Sequence, residues 1–177
     1  MQKGILIGGT GGQGIVAAGE FLSEALFRAG YQVINSRSYG AEARGGSCKS
    51  EVIVSDHDIY DIALEKADIL IILSAPAMRR FQGVANKNAL VFVDDDVFGR
   101  LGEEEIRPDV EFVLIPASKM AEELGNQIVA NMVLLGALSK RSDIISREKL
   151  EDAVRAMMRP SMQAINLRAL EAGHDRA

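Results

Sequence analysis

The sequence predicts an α/β fold: a Rossmann-like, mostly parallel sheet with helices on both faces and a helical C-terminal region, in a single domain over 1–177. Three observations predict it. Through residue 117, short apolar runs of strand length alternate with segments of helical periodicity. The strand runs are rich in Ile, Val and Leu, as in strands buried on both faces. Beyond residue 117 the strand runs stop and four helical segments follow. Alternation of this kind builds a sheet with right-handed crossovers.

The elements follow in order. KGILIG (3–8) is a buried strand. The next segment places Ile15, Ala18, Phe21, Leu22, Ala25 and Leu26 at helical spacing and stops at Gly30, a favoured C-terminal glycine. YQVINS (31–36) is a second strand, SYGAEARGGS (38–47) a loop, and CKSEVIVS (48–55) a third strand. The alternation of the third strand gives it one wetter face, as at a sheet edge. IYDIALEKA (59–67) is expected as a short helix. DILIILS (68–74) is a buried strand, and a helix opens at Pro76 with Ser74 as its cap. Strands are expected at 88–96 and 110–117. The four remaining segments, ASKMAEELGN, QIVANMVLLGALSK, SREKLEDAVRAMM and SMQAINLRALEAG, are helices, the third capped by Ser146. The second of these is apolar on nearly every face and must be buried within the chain or against a partner.

Composition excludes several functions. The net charge of −5 gives no nucleic-acid footprint, and at 5% aromatic the chain is poorly supplied with base-stacking platforms. No apolar run approaches the roughly 20 residues of a membrane span. The N-terminus lacks a signal-peptide pattern, so a cytoplasmic protein is expected. One cysteine, Cys48, cannot hold an iron–sulfur cluster or a structural zinc, and His57 and His174 are far apart in sequence. No metal site is assigned.

Gly9 to Gly14 reads GTGGQG, a G-x-G-x-x-G pattern between a strand and a helix. Backbone amides at such a helix start, together with its dipole, favour an anion. No Lys-Ser/Thr follows, which rules out a Walker A loop. A dinucleotide site would also want an acid closing the second strand. That strand closes instead on Asn35-Ser36-Arg37-Ser38, and an arginine there suits an extra phosphate, as in NADP or in coenzyme A. The alternatives at this point are an anion or nucleotide site, a tight turn that binds nothing, and a protein contact.

SRSYGAEARGGSCKSE is the second unusual stretch. Arg37, Arg44 and Lys49 bring positive charge to an acidic chain, and Gly40, Gly45 and Gly46 let the backbone bend sharply. This loop leaves the second strand at the same sheet edge as the first glycine loop, where open α/β sheets bind ligands. The two loops should face each other.

Four stretches then carry a resemblance: GGTGGQGIVAAGEFLSEA, SYGAEARGGSCKSEVIVSD, ELGN with ANMVLLGAL, and INLRALEAG. Together they resemble the gamma subunit of 2-oxoacid:ferredoxin oxidoreductases of the 2-oxoglutarate, 2-oxoisovalerate and pyruvate type, almost end to end. Ala41 departs from the proline that many members carry. The resemblance implies an enzyme subunit without a complete active site of its own. The whole enzyme would convert a 2-oxoacid and coenzyme A to acyl-CoA and CO₂, with ferredoxin as acceptor. Thiamine diphosphate, Mg²⁺ and iron–sulfur clusters are then expected in partner alpha, beta and delta subunits, and coenzyme A access and assembly fall to this chain.

The expected ligand contacts are Gly11, Gly12, Gln13 and Gly14 through their amides, Arg37 and Arg44 as cations, and Ser38 and Tyr39 as polar partners. No residue is assigned as general acid, base or nucleophile. Asp94-Asp95-Asp96 could hold Mg²⁺ through waters, but is expected to be a solvated strand exit. Cys48 beside Lys49 could be a favoured thiolate, but is expected to be a small strand residue. Two rival readings stay open: an independent NADP-binding oxidoreductase, for which 177 residues leave little room, and an assembly module without a small-molecule ligand.

Overall fold

The computed structural model describes residues 1–39 and 46–177. Six strands form one sheet in the order β2-β3-β1-β4-β5-β6. They are β1 (Gln2–Thr10), β2 (Gln32–Tyr39), β3 (Ser47–Ser55), β4 (Ala67–Ile72), β5 (Ala85–Asp94) and β6 (Glu111–Ile115). β1 lies mid-sheet, so Ile5, Leu6 and Ile7 are fully buried on both faces.

The α/β class holds, with one strand reversed. β1, β4, β5 and β6 pair in parallel, while β3 runs antiparallel to both β1 and β2. That reversal accounts for two differences from expectation. β3 is not the edge strand; β2 is. The wetter face of β3 is real, however. On that side α2 (Ala75–Phe81) packs mainly over β1, leaving Lys49 and Glu51 half-buried.

Secondly, residues 56–66 form no helix. An antiparallel β3 ends at the edge where β4 begins, so the chain rounds the start of β1 without a crossover helix. Tyr60 and Ile62 point to solvent while Leu64 alone packs on the smaller core, and a segment of nine residues with so little packing is too short to stay helical.

Helices cover the sheet unequally. One face carries α1 (Ile15–Arg28), α4 (Ala117–Glu123), α5 (Ala130–Arg141), α6 (Arg147–Met157) and α7 (Pro160–Arg176), and holds the larger core. The other carries α2 and the single turn α3 (Asp95–Phe98), packed on Leu6, Leu70, Ile72, Val91 and Val93. α1 ends as expected, with Gly30 at φ 95°. Ser74 and Ser146 cap α2 and α6 by accepting from the amides of Ala77 and Lys149. α5 is buried along most of its length against α7, so its apolar faces are satisfied within the chain. Among the described residues, no helix is long and apolar enough to cross a membrane.

Candidate functional site: a cleft at the carboxyl edge of the sheet

β1, β4 and β5 all end at one edge of the sheet. There α1 leaves β1 toward one face, and α2 leaves β4 toward the other, so the strands' ends part. A cleft of about 590 Å³ opens at this point, lined by Thr10, Gly12, Gln13, Ser74, Asp94, Asp96, Arg100, Ser118, Gln127 and Ile128 among others.

The glycine loop forms one wall. Gly12 and Gly14 sit at φ 92° and 69°, the left-handed region that glycine enters at little cost. Gln13 folds its side chain back: the Thr10 amide and hydroxyl donate to Gln13 Oε1 at 2.8 and 3.1 Å, and Gln13 Nε2 donates to the Leu73 carbonyl at 2.9 Å. The side chain thus clasps β1 to β4 where they would otherwise separate. The Gln13 amide itself donates to the Thr10 carbonyl, and the Gly11 amide donates to the Gly46 carbonyl, both at 3.3 Å. Of the four amides expected to face a ligand, those of Gly12 and Gly14 have no acceptor among the described residues.

The Gly11–Gly46 bond also brings the two glycine-rich stretches together, as their shared edge implied. Beside it lies a second, apolar recess formed by Gly11, Gly12, Gly14, Ile15, Val16, Ala17, Cys48 and Ile128. Arg37 and Ser38 stand apart from both recesses. Arg37 is exposed and pairs with Glu20 of α1 at 2.6 Å. Ser38 is exposed on the opposite face, across from Lys49. Tyr39 closes β2 across from Cys48. Arg44 lies outside the described residues. The structure therefore brings Gly12 and Gln13 into the cleft and places Arg37 and Ser38 elsewhere.

Three contributors were not singled out as site residues in the sequence. Asn131, buried at the start of α5, donates from Nδ2 to the Gly14 carbonyl at 2.9 Å, fixing the glycine loop to the C-terminal helices. As the one polar side chain within IVANMVLLGAL, it was the available signal. Asp94 is only 2% exposed, not a solvated strand exit. Its two carboxylate oxygens accept from the amides of Asp96 (3.0 Å) and Ser118 (2.6 Å), so it ties the end of β5 to both α3 and α4. Asp95 and Asp96 are exposed, as expected.

Arg100 sits in a loop that Arg79 holds. The Arg79 guanidinium bonds both carboxylate oxygens of Glu105 (2.5 and 3.2 Å) and the Arg100 carbonyl (3.3 Å), while Glu105 also accepts from the Gly102 amide at 2.9 Å. The hydrogen bond from Arg79, then that from Gly102, keeps the Glu105 carboxyl below its ordinary range. Cys48 is the small buried strand residue expected. Burial pushes its thiol pKa up, and Lys49 turns away to pair with Glu51 at 2.5 Å.

Residues 4–176 match the pyruvate ferredoxin/flavodoxin oxidoreductase family. The chain belongs to that family. Its relatives include the 2-oxoglutarate synthase subunit KorC of Methanocaldococcus jannaschii, 37% identical over 177 residues, with 99% of this chain and 94% of the relative covered. KorC of Methanothermobacter thermautotrophicus is 36% identical over 99% of this chain and 95% of the relative. Among solved structures, the gamma subunit of a keto/oxoacid ferredoxin oxidoreductase from Geobacter sulfurreducens superimposes with a TM-score of 0.87 at 29% identity, covering 99% and 96% of the two chains. A 2-oxoglutarate:ferredoxin oxidoreductase from Magnetococcus marinus, solved with 2-oxoglutarate, coenzyme A and succinyl-CoA bound, gives a TM-score of 0.88 at 27% identity. There this family's fold accounts for 31% of a longer chain, while 99% of the present chain is covered. Like these relatives, the chain is one subunit of an oxidoreductase.

Proposed function

We propose that this chain is the gamma subunit of a cytoplasmic, coenzyme A-dependent 2-oxoacid:ferredoxin oxidoreductase, working with alpha, beta and delta subunits and passing electrons to ferredoxin. It contributes coenzyme A access and subunit assembly. The observation that carries this reading is the cleft itself, at the carboxyl edge where the strand ends part, with the open backbone of Gly12 on its wall. An added Cβ at Gly11 or Gly12 would meet nothing within 4 Å, so a phosphate can approach this backbone closely. The loop thus suits the phosphates of coenzyme A.

The other expected cofactors fit partners better. One cysteine cannot ligate an iron–sulfur cluster. Asp94, the buried member of the acidic run, spends both oxygens on backbone amides. Thiamine diphosphate with Mg²⁺, and the clusters, are accordingly assigned to the partner subunits, where decarboxylation and electron transfer take place. The residues of this chain bind and orient: Gly12 and Gly14 offer N–H donors, Gln13 holds the loop's shape, and Asn131 fixes its exit into α1.

The test is reconstitution. Complex assembled with this chain should reduce ferredoxin with a 2-oxoacid only when coenzyme A is present, and should bind coenzyme A in equilibrium dialysis. NADPH binding by the chain, with no response to coenzyme A by chain or complex, would overturn the reading. Tight assembly without any coenzyme A dependence would reduce the role to assembly alone.

A further inference from the structure

Resting on that reading, the geometry assigns a phosphate-holding residue that the strand-two arginine does not supply: Arg100. Three observations carry the assignment. Arg100 is the only cationic side chain lining the cleft among the described residues. Its guanidinium makes no hydrogen bond or ion pair among them, in contrast to Arg37, which is committed to Glu20. And its backbone is held in place. Arg79 grips the Arg100 carbonyl and, through Glu105, the Gly102 amide, so the loop from 99 to 105 is braced at two points. A cation on a braced loop, facing a cleft and lacking an anion of its own, is arranged to receive one.

The remaining lining defines what that anion belongs to. Asp94 has both carboxylate oxygens turned to backbone amides, whereas Asp96 is exposed and forms no ion pair with Arg100. Ser74, Ser118, Gln127 and Asp96 supply hydroxyl, amide and carboxylate groups. Such a wall suits a ligand that is anionic at one point and offers hydroxyl or amide N–H donors elsewhere. A phosphorylated ribose, or a pantetheine chain esterified to phosphate, has this character, and a bare 2-oxoacid does not.

The experiment uses the reconstituted complex carrying Arg100→Ala, Arg100→Lys or Arg100→Glu, with coenzyme A, dephospho-coenzyme A and pantetheine as probes. KM values for coenzyme A and for the 2-oxoacid are read alongside equilibrium dialysis with labelled coenzyme A. Arg100→Ala should weaken coenzyme A binding and raise its KM about 10-fold or more, the loss expected for one charge-assisted phosphate contact. Arg100→Glu should do so further, and Arg100→Lys should recover part of the loss. The KM for the 2-oxoacid should stay within two-fold. With pantetheine, which has no phosphate, the variants should match wild type. A penalty that shrinks with dephospho-coenzyme A assigns the contact to the 3′-phosphate, and one that persists assigns it to the pyrophosphate. A wild-type complex that depends on coenzyme A, with Arg100→Ala within two-fold of it, would sink this assignment and leave the subunit reading standing. A wild-type complex indifferent to coenzyme A would sink both. Because Arg100 is exposed and has no partner among the described residues, an unchanged thermal midpoint should show that the variants are folded.

Discussion

Gly14 meets two demands at once. Its φ of 69° lies where a side chain is strained, and a Cβ there would stand 2.6 Å from Asn131 Nδ2, which holds the Gly14 carbonyl. The two costs can be separated. Gly14→Ala should destabilise the protein by about 2–3 kcal/mol, of which about 1–2 is left-handed strain. In an Asn131→Ala background the steric part is gone, so the same substitution should add only the strain. Denaturant melts of the four proteins in this cycle check the prediction, and fully additive costs would refute it. Part of this site was legible in the sequence: five glycines within seven residues announce an unusual backbone. Its outcome was not, because the same G-x-G-x-x-G spelling serves whether the loop's amides bond to a ligand or, as at Gly11 and Gln13, to other backbone.

At the level of elements, α5 and α7 touch backbone to backbone. Added Cβ atoms at Gly136 and Gly173 would run into the carbonyl oxygens of Leu170 and Val133 respectively. Neither obstacle is a side chain that can swing aside, so the helices would have to separate. Gly173→Ala should therefore cost about 3 kcal/mol, at the upper end for overpacking, and lower the thermal midpoint by roughly 6–12 °C. A change below 2 °C would show that the helices part freely. α1 and α6 were readable from periodicity, since each has one dominant buried face, and α5 from its nearly unbroken apolar run. The segment 59–67 misled because its length and composition suit the crossover of a parallel sheet. Only the direction of β3 removes the need for one, and direction depends on pairing with β1 and β2, across the whole sheet.

For the whole molecule, charge is arranged in paired clusters on an acidic surface. Besides Glu105, Asp109 is held below its ordinary value, first by the hydrogen bond from Arg107. A carboxyl lowered in the folded state contributes stability above its unfolded pKa and loses it as pH falls through the folded value. Arg79→Ala should thus lower the thermal midpoint at pH 7, and the gap from wild type should close as pH drops below the ordinary glutamate value of 4.5. A gap that is constant between pH 7 and pH 3 would exclude this linkage. The sheet edge carrying the cleft could be foreseen, because strand ends and glycine loops mark it. Asp94 could be placed at a strand end, but not its burial, which depends on the amides of Asp96 and Ser118; Arg100 could not be placed, because what joins it to the cleft is the path of the chain between β5 and β6 and its clasp by Arg79.

The Asn131–Gly14 contact has a further meaning in time. It spans 117 positions, which at synthesis rates of 5–20 residues per second is on the order of ten seconds of translation. The glycine loop is made well before α5, yet its exit is fixed only once α5 has emerged to supply Asn131. The loop thus waits for a distant part of its own chain, and the cleft gains its full lining only when residues 127–130 have joined residues 10–13.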